Sequence, residues 1–214
     1  MNINKKFWII LTILCLFLLF LILSNSDDNN DDDDNLLYLE NFLTENEFKE
    51  ILSLDTDKNG FTDEGYRYIK PLNNSNITYK IFYSDKIINI LKDKLKNVDV
   101  KESKFPIEHR IYPVESNGMP MHIDTLLYEK PQYEAIYTIR NKSNSFTGWF
   151  DGNGDYNKIW TKPNSLLVVK AQGFKHHVTP PIVGEREILK LIYTQTDKIN
   201  NNYIKEMERF NNLN

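Results

Sequence analysis

The sequence predicts a mainly β domain with N-terminal helices, built on a double-stranded β-helix (jelly-roll or cupin-like) core and preceded by one transmembrane helix. Three observations predict this class. Beyond residue 107, short segments rich in Val, Ile, Tyr and Thr alternate with Gly, Pro and Asn breaks, a pattern typical of a β-sandwich or barrel. Between residues 44 and 95, apolar residues recur at helical spacing. Near the N-terminus lies a long apolar run.

The apolar run spans residues 7–23, and Thr12 alone interrupts its 17 residues. A helix of this length rises about 25 Å, near the lower limit for crossing a bilayer. Lys5 and Lys6 precede the run and acidic residues follow it, so the positive-inside tendency places residues 1–6 in the cytoplasm. We therefore expect a signal anchor and a single-pass type II membrane protein, with the domain on the lumenal, endoplasmic-reticulum-like side. A cleaved signal peptide is the alternative, although the run exceeds the usual h-region and no clear Ala-x-Ala site follows.

Residues 24–35 consist of Asp, Asn and Ser, which predicts a disordered acidic stalk. The full chain has 26 Lys and Arg against 30 Asp and Glu, a formal charge of −4. Without the six stalk aspartates and the two lysines ahead of the apolar run, 24 residues of each sign remain from Leu36 onward. A neutral domain does not support nucleic-acid binding. The one cysteine, Cys15, lies in the apolar run, so we expect a domain without disulfides.

Two helices are predicted at the start of the domain. The segment from Thr44 to Glu47 resembles a capping box, and Phe48, Ile51 and Leu52 follow at helical spacing. Ser84 is a candidate cap for a second helix, whose apolar stripe comprises Ile87, Ile88, Leu91 and Leu95. We interpret both stripes as packing faces.

Five strands are predicted after the helices: Ile107–Val114, Tyr133–Arg140, Phe146–Phe150, Ser165–Lys170 and Arg186–Gln195. Turn residues separate them, for example Asn117 with Gly118 and Lys162 to Asn164. We expect one domain over residues 36–197, followed by a polar C-terminal helix or frayed tail over residues 198–214.

A candidate metal site is formed by His122 and Asp124. In an extended chain, residues two apart point to the same face, so the imidazole and the carboxylate can converge. A second imidazole is available from His176 or His177, and two His with one carboxylate are typical of non-haem Fe(II) sites. The alternative is that the histidines are structural, since His-x-Asp alone is common.

Arg186 stands at the start of the last strand. An Arg facing the interior is costly unless it is paired with an anion, and a dicarboxylate co-substrate would supply that anion through a bidentate pair. Lys190 lies four residues further on the same face and is the fallback anchor.

Three segments together resemble a known family: Arg110-Ile-Tyr-Pro-Val, Met121-His-Ile-Asp, and the stretch from His176 to Arg186. They are similar to the Fe(II)/2-oxoglutarate-dependent dioxygenases, and most of all to the prolyl 4-hydroxylase branch, including procollagen-proline 4-dioxygenases. The resemblance covers about residues 36–197. It implies Fe(II), 2-oxoglutarate and O₂ as cofactor and co-substrates, L-ascorbate as a reductant, and hydroxylation coupled to decarboxylation of 2-oxoglutarate to succinate.

The resemblance also assigns residues. The family's 2-oxoglutarate-binding basic residue follows the distal iron His by ten positions, which selects Arg186 and His176. The metal ligands are then His122, Asp124 and His176. Tyr112 matches a family Tyr that hydrogen-bonds 2-oxoglutarate, although ordinary strand packing would also explain it. Tyr137, on the next predicted strand, is a candidate to line the same pocket.

Two departures concern the substrate more than the cofactor. Collagen-type prolyl 4-hydroxylases have Lys where this chain has Arg186, and the family's Gly-Gly-Glu-Thr segment is matched only loosely by residues 146–150. We expect a protein or peptide substrate, with prolyl hydroxylation first and lysyl or other small-substrate hydroxylation second. The oligomeric state stays open.

Two alternatives come from other classes. The domain would be a non-catalytic jelly-roll binding module displayed on a membrane if the metal triad were coincidental. A membrane-tethered structural protein would need no buried charge near His176 and would leave Arg186 exposed to solvent. Nucleic-acid demethylases of the same superfamily carry a second Arg where this chain has Ile192, so we set that activity aside.

Overall fold

The computed structural model describes residues 36–211. The α-helices in this part of the chain are α1 (Glu45–Leu52), α2 (Ile77–Phe82), α3 (Asp85–Lys94) and α4 (Asn201–Asn211). The strands are β1 (Leu36–Glu40), β2 (Thr62–Asp63), β3 (Tyr68–Pro71), β4 (Lys101–Glu102), β5 (Glu108–Tyr112), β6 (Met119–His122), β7 (Tyr133–Asn141), β8 (Thr147–Phe150), β9 (Tyr156–Ile159), β10 (Ser165–Lys170), β11 (His176–Val178) and β12 (Arg186–Thr194). A single 3₁₀ turn lies at Lys58–Gly60 in the described residues.

The strands form two antiparallel sheets. The major sheet has the order β1-β10-β7-β12-β5-β3-β2, with β4 paired to β12. The minor sheet has the order β6-β11-β8-β9. Side chains from both sheets line one cavity, so the sheets enclose an interior as in a jelly roll. The expected mainly β architecture is therefore confirmed.

The predicted helices α1 and α3 form and pack on the outer face of the major sheet. Thr44 and Glu47 make a reciprocal capping box at the start of α1, and the Ser84 side chain caps α3. Ile51, Ile87 and Leu91 are fully buried against the sheet in the main apolar core. Burying each such side chain contributes about 1.5–3 kcal/mol, so this face is held firmly in place.

The two faces of the major sheet have different roles. On β7, Tyr133, Ala135 and Tyr137 pack in the core under the helices, whereas Glu134 and Ile136 line the cavity between the sheets. Because alternate residues of a strand point to opposite faces, each central strand contributes one row of side chains to the core and another to the cavity.

The C-terminal segment forms helix α4, one of the two forms expected for residues 198–214. It is anchored by a second apolar cluster, in which Tyr203 and Phe210 are buried with Phe105 and Tyr128. The ring centroids of Phe105 and Phe210 are 5.3 Å apart in an edge-on arrangement. Helix α4 is thus packed on the domain, next to the open end of the cavity.

No helix among the described residues is long and apolar enough to cross a membrane. The predicted anchor at residues 7–23 and the predicted stalk at residues 24–35 lie outside the described residues.

Candidate metal centre and anion pocket

The metal-ligand candidates converge at the edge between β6 and β11. His122 is the last residue of β6, His176 is the first of β11, and the two are direct partners in the antiparallel ladder. Asp124 follows His122 by two residues, as the alternation of an extended chain predicts. The Nε2 atom of His122 lies 3.6 Å from Asp124 Oδ1, and that of His176 lies 3.5 Å from Asp124 Oδ2. All three ligand atoms lie within 4.8 Å of one another, close enough to share one ion.

Both imidazoles are oriented by their own strands. His122 Nδ1 donates to the Pro120 carbonyl at 2.8 Å, and His176 Nδ1 donates to the Phe174 carbonyl at 3.1 Å. With the proton on Nδ1, each neutral ring has its Nε2 lone pair available for a metal. This backbone support is the arrangement that metal-ligating histidines normally have.

The ionisation of the three groups suits a cation. Burial disfavours the charged form of Asp124, but the nearby His122 and His176 outweigh it and lower the pKa of that carboxyl to about 2. Burial lowers the pKa of His176, which favours its neutral, metal-binding form. Although burial acts in the same direction on His122, its interaction with Asp124 raises the pKa of that imidazole. These directions favour an anionic Asp124 and a neutral His176, the forms in which both groups bind a cation.

The other candidate imidazole faces away from the site. His177 points to the outer face of the minor sheet, where its Nε2 lies 2.9 Å from the Tyr156 hydroxyl. Gly148 leaves room for this pair, because a Cβ there would collide with both rings. The structure brings His176, and not His177, next to Asp124.

Arg186 occupies a buried pocket between the sheets. The side chain is 1% exposed, and Nη2 donates to Thr147 Oγ1 at 3.1 Å. Nε and Nη1 are buried without a hydrogen-bond partner. Burial lowers the pKa of this guanidinium, and a buried cation with two unpaired nitrogen atoms is costly. The pocket therefore has the chemistry of an anion-binding site, in which no carboxylate of the described residues bonds to these two nitrogen atoms.

The cavity connects the Arg186 pocket with the metal-ligand group. Its lining includes Arg186, Thr147 and the three ligand candidates. Apolar side chains form its middle: Ile136, Leu167, Val169 and Ile188. A small dicarboxylate that reaches from Arg186 towards the metal-ligand candidates would supply the missing acceptors for the guanidinium.

Tyr112 also lines this cavity, at the position paired with Arg186 across the β5–β12 ladder. Its ring is fully buried. Burial favours the neutral phenol, but the guanidinium of Arg110, with Arg67 and Arg186 behind it, lowers the pKa of Tyr112 below its usual value. The hydroxyl therefore lies among cations and has Arg67 as a hydrogen-bond partner.

Tyr137 is not part of this cavity, which corrects the expectation from the sequence. It lies on the helix-facing side of β7, between Phe42 and Phe82, and its hydroxyl donates to Asn164 Oδ1 at 2.9 Å. The cavity-facing residues of β7 are Glu134 and Ile136 instead.

Sequence reasoning missed Glu134 and Glu108, the carboxylates that pair with two cations of the site. Thr147, which binds Arg186, was identified only as part of a loosely matching segment. Lys190 is already paired with Glu134, with 2.6 Å between Nζ and Oε2, so it is not a free alternative to Arg186. Arg110 is likewise paired with Glu108 at 2.6 Å. The sequence signal for these pairs was a charged residue within an otherwise apolar strand, such as Glu134 in β7 and Lys190 in β12.

Comparisons with known proteins support the fold. No family model and no curated protein sequence matches the chain. A 2OG-Fe(II) oxygenase family oxidoreductase from Burkholderia pseudomallei superimposes with a TM-score of 0.65 and 12% identity, covering 78% of this chain and 87% of that chain. A prolyl-4-hydroxylase from Pseudomonas putida gives a TM-score of 0.60 and 13% identity, covering 76% and 93%.

A third structure is a Trichoplax adhaerens prolyl hydroxylase in complex with a hypoxia-inducible factor peptide fragment. It gives a TM-score of 0.60 and 17% identity, and the alignment covers 81% of this chain and 89% of that chain. Identities this low establish the fold. Residues 36–211 therefore adopt the double-stranded β-helix fold found in 2-oxoglutarate/Fe(II) oxygenases, prolyl hydroxylases among them.

Proposed function

We propose that the protein is an Fe(II)/2-oxoglutarate-dependent dioxygenase that hydroxylates a protein or peptide. The observation that carries this proposal is Arg186, a fully buried guanidinium with two unpaired nitrogen atoms in a cavity that ends at a His-Asp-His group. The fold shared with 2OG-Fe(II) oxygenases supports the same function.

The donor set fits iron. His122, Asp124 and His176 would hold Fe(II) through two imidazole nitrogens and one carboxylate, the facial set of non-haem iron oxygenases, which leaves other positions open. When bound, Fe(II) supplies activation of O₂ coupled to the oxidative decarboxylation of 2-oxoglutarate to succinate and CO₂.

The chain itself binds and orients the co-substrate. Arg186 pairs with the distal carboxylate of 2-oxoglutarate, Thr147 holds the guanidinium in place, and Tyr112 donates a hydrogen bond to the same carboxylate. The apolar middle of the cavity excludes water around the carbon chain. Orientation of this kind places the keto acid end towards the metal ligands without participation of Lys190, whose ammonium is paired with Glu134.

For the substrate, we propose prolyl 4-hydroxylation of a protein or peptide, with lysyl or other small-substrate hydroxylation as the second candidate. The peptide complex of the Trichoplax adhaerens prolyl hydroxylase supports a peptide partner. L-Ascorbate is proposed as the reductant that restores iron oxidised without product formation. The predicted apolar run at residues 7–23 supports a type II membrane anchor and a lumenal, endoplasmic-reticulum-like location.

The two non-enzymatic alternatives are less consistent with the site. A structural protein would leave Arg186 exposed, yet the side chain is buried. A jelly-roll binding module gives no reason for a preoriented His-Asp-His group at the end of an anion pocket.

The test is succinate formation by the full-length protein from 2-oxoglutarate and Fe(II). We expect activity that needs Fe(II) and is lost in Asp124→Ala and His176→Ala. His177→Ala is the matched control, because it removes the neighbouring imidazole on the other face and should retain activity. Iron-independent turnover, or loss in His177→Ala with retention in His176→Ala, contradicts the assignment. Mass spectrometry of Pro- and Lys-containing peptides after incubation then identifies the hydroxylated residue.

A further inference from the structure

A second cleft opens beside the metal-ligand group and shares His122 and Asp124 with the anion pocket. Its walls come from the turn before β3, the loop after β6 and helix α4, and its floor comes from β5, β7 and β12. If Arg186 binds the co-substrate, this cleft receives the substrate whose C–H bond is oxidised, because it is the other approach to the metal ligands among the described cavities. The inference below therefore rests on the proposed function.

The polar lining of this cleft is unbalanced in charge. Its basic side chains are Arg67, Arg110, Lys190 and Arg209. Its carboxylates are Asp124, Glu134 and Glu206. Since Asp124 is assigned to the metal, four cations face two carboxylates, and both of these are already paired, Glu134 with Lys190 and Glu206 with Arg209.

The missing carboxylates lie behind the lining. Glu64 holds both Arg67, with 2.7 Å between Nε and Oε2, and Arg209, with 2.5 Å between Nη1 and Oε1. Glu108 holds Arg110. Neither Glu64 nor Glu108 lines the cleft. The charges are thus neutralised within the protein, while the surface that faces a substrate is cationic.

Arg67 is the most informative of these cations. It is 4% exposed, and Nη1 donates to the thioether sulfur of Met119 at 3.9 Å, which is a weak acceptor. Its guanidinium also lies 4.9 Å from the centre of the Tyr66 ring, which fixes its plane. A carboxylate in the cleft would replace the sulfur as a charged acceptor.

We propose that this cleft selects an acidic peptide as substrate, with Arg67 binding a carboxylate beside the hydroxylated residue and Arg209 of helix α4 attracting a second one at the rim. The C-terminal helix is then a wall of the substrate site. Such a contact is charge-dependent, so it weakens as salt is added.

The experiment measures binding of fluorescein-labelled peptides to the full-length protein loaded with Co(II) and 2-oxoglutarate. The peptides share a central Pro and differ in their flanking residues, which are Asp, Asn or Lys. We expect the Asp peptide to bind at least about tenfold more tightly than the Asn peptide. Arg209→Gln should remove most of this preference. Lys205→Gln is the matched control, because Lys205 is an exposed cation on the same helix outside the cleft.

Equal binding of the Asp and Asn peptides, tighter binding of the Lys peptide, or no binding of any peptide overturns the proposal. Equal weakening of all peptides by Arg209→Gln also overturns it. Arg67→Gln gives a second variant, but Arg209 is the safer choice because its side chain is 34% exposed and its loss leaves the interior intact. Succinate formation by the same protein preparation reports on the proposed function separately, so the two failures can be told apart.

Discussion

Replacing Arg186 with Met tests the anion pocket most directly, because it removes the charge and leaves a shorter, unbranched apolar side chain in its place. In the free protein, two guanidinium nitrogens are buried without acceptors. Leaving such groups unpaired costs stability, so Arg186→Met should be at least as stable as the wild type when 2-oxoglutarate is absent. Most substitutions of buried residues lower the free energy of unfolding, so a variant that keeps or raises it would be unusual.

The same substitution should abolish stabilisation by the co-substrate. A ligand at about 100 times its Kd stabilises the folded state by about 2.7 kcal/mol. For a domain of this size that is a rise in Tm of roughly 5–11 °C. Loss of two charge-assisted hydrogen bonds, at about 1.5–3 kcal/mol each, raises the Kd of 2-oxoglutarate roughly 10²- to 10⁴-fold, so the rise should vanish. Arg186→Lys retains one donor and should lose about 10- to 100-fold.

Thermal unfolding with Co(II), with and without 2-oxoglutarate, measures both effects in one experiment. The reasoning is refuted if 2-oxoglutarate raises the Tm of Arg186→Met as far as that of the wild type. It is also refuted if Arg186→Met melts several degrees below the wild type without 2-oxoglutarate, since the guanidinium would then be supported by the protein alone.

Three further predictions concern the same region. Metal affinity should fall as the pH drops through the pKa of His122, which lies above its ordinary 6.5, because the proton competes with the metal for Nε2. Titration of Co(II) binding at a series of pH values measures this. An affinity that stays constant down to strongly acidic pH contradicts it. Tyr112→Phe should raise the KM for 2-oxoglutarate about tenfold, because the Tyr112 hydroxyl lines the cavity. Tyr137→Phe should leave this KM unchanged and lower the stability of the fold by about 1 kcal/mol, because it removes the hydrogen bond to Asn164. Equal effects of the two variants on the KM would contradict the two placements. Gly118→Ala should destabilise the fold by more than about 1 kcal/mol, because the residue has φ +66° and its Cβ would meet the Val178 carbonyl; an unchanged midpoint of urea unfolding would contradict this.

The metal-ligand group was readable from sequence because it depends on local rules. His122 and Asp124 share a face through the alternation of an extended chain. The choice between His176 and His177 came instead from the family resemblance, which sets ten positions between the distal His and the basic residue. The structure places these two imidazoles on opposite faces of β11. Arg186 was predicted from the cost of burying an unpaired cation.

The position of Tyr137 was not readable in the same way. Strand β7 is covered by helices on one face and by the minor sheet on the other, so apolar residues occur on both of its faces. Alternation then no longer indicates which row faces the site. The charged residue Glu134 was the one feature of the β7 sequence that indicated which of its side chains face the cavity.

The remaining elements depend on tertiary pairing. Helix α2, which Asn76 caps, is only six residues long, too short to show a helical period in the sequence. Strand β11 has three residues and exists because β6 and β8 flank it. The excess of cations in the second cleft also depends on which carboxylates lie behind its lining. The sequence alone does not show which charged residues line a cleft and which lie beneath it.

The direct pairing of His122 with His176 has a consequence for folding. The two candidate ligands are 54 positions apart in the sequence, yet each ring is oriented by the carbonyl two residues before it. The site therefore forms once β6 and β11 meet, without help from distant side chains. A bound ion would then act as a cross-link that closes a long loop, and amide protons of the minor sheet should exchange more slowly with metal present. Exchange in the major sheet, which holds no ligand, should change much less.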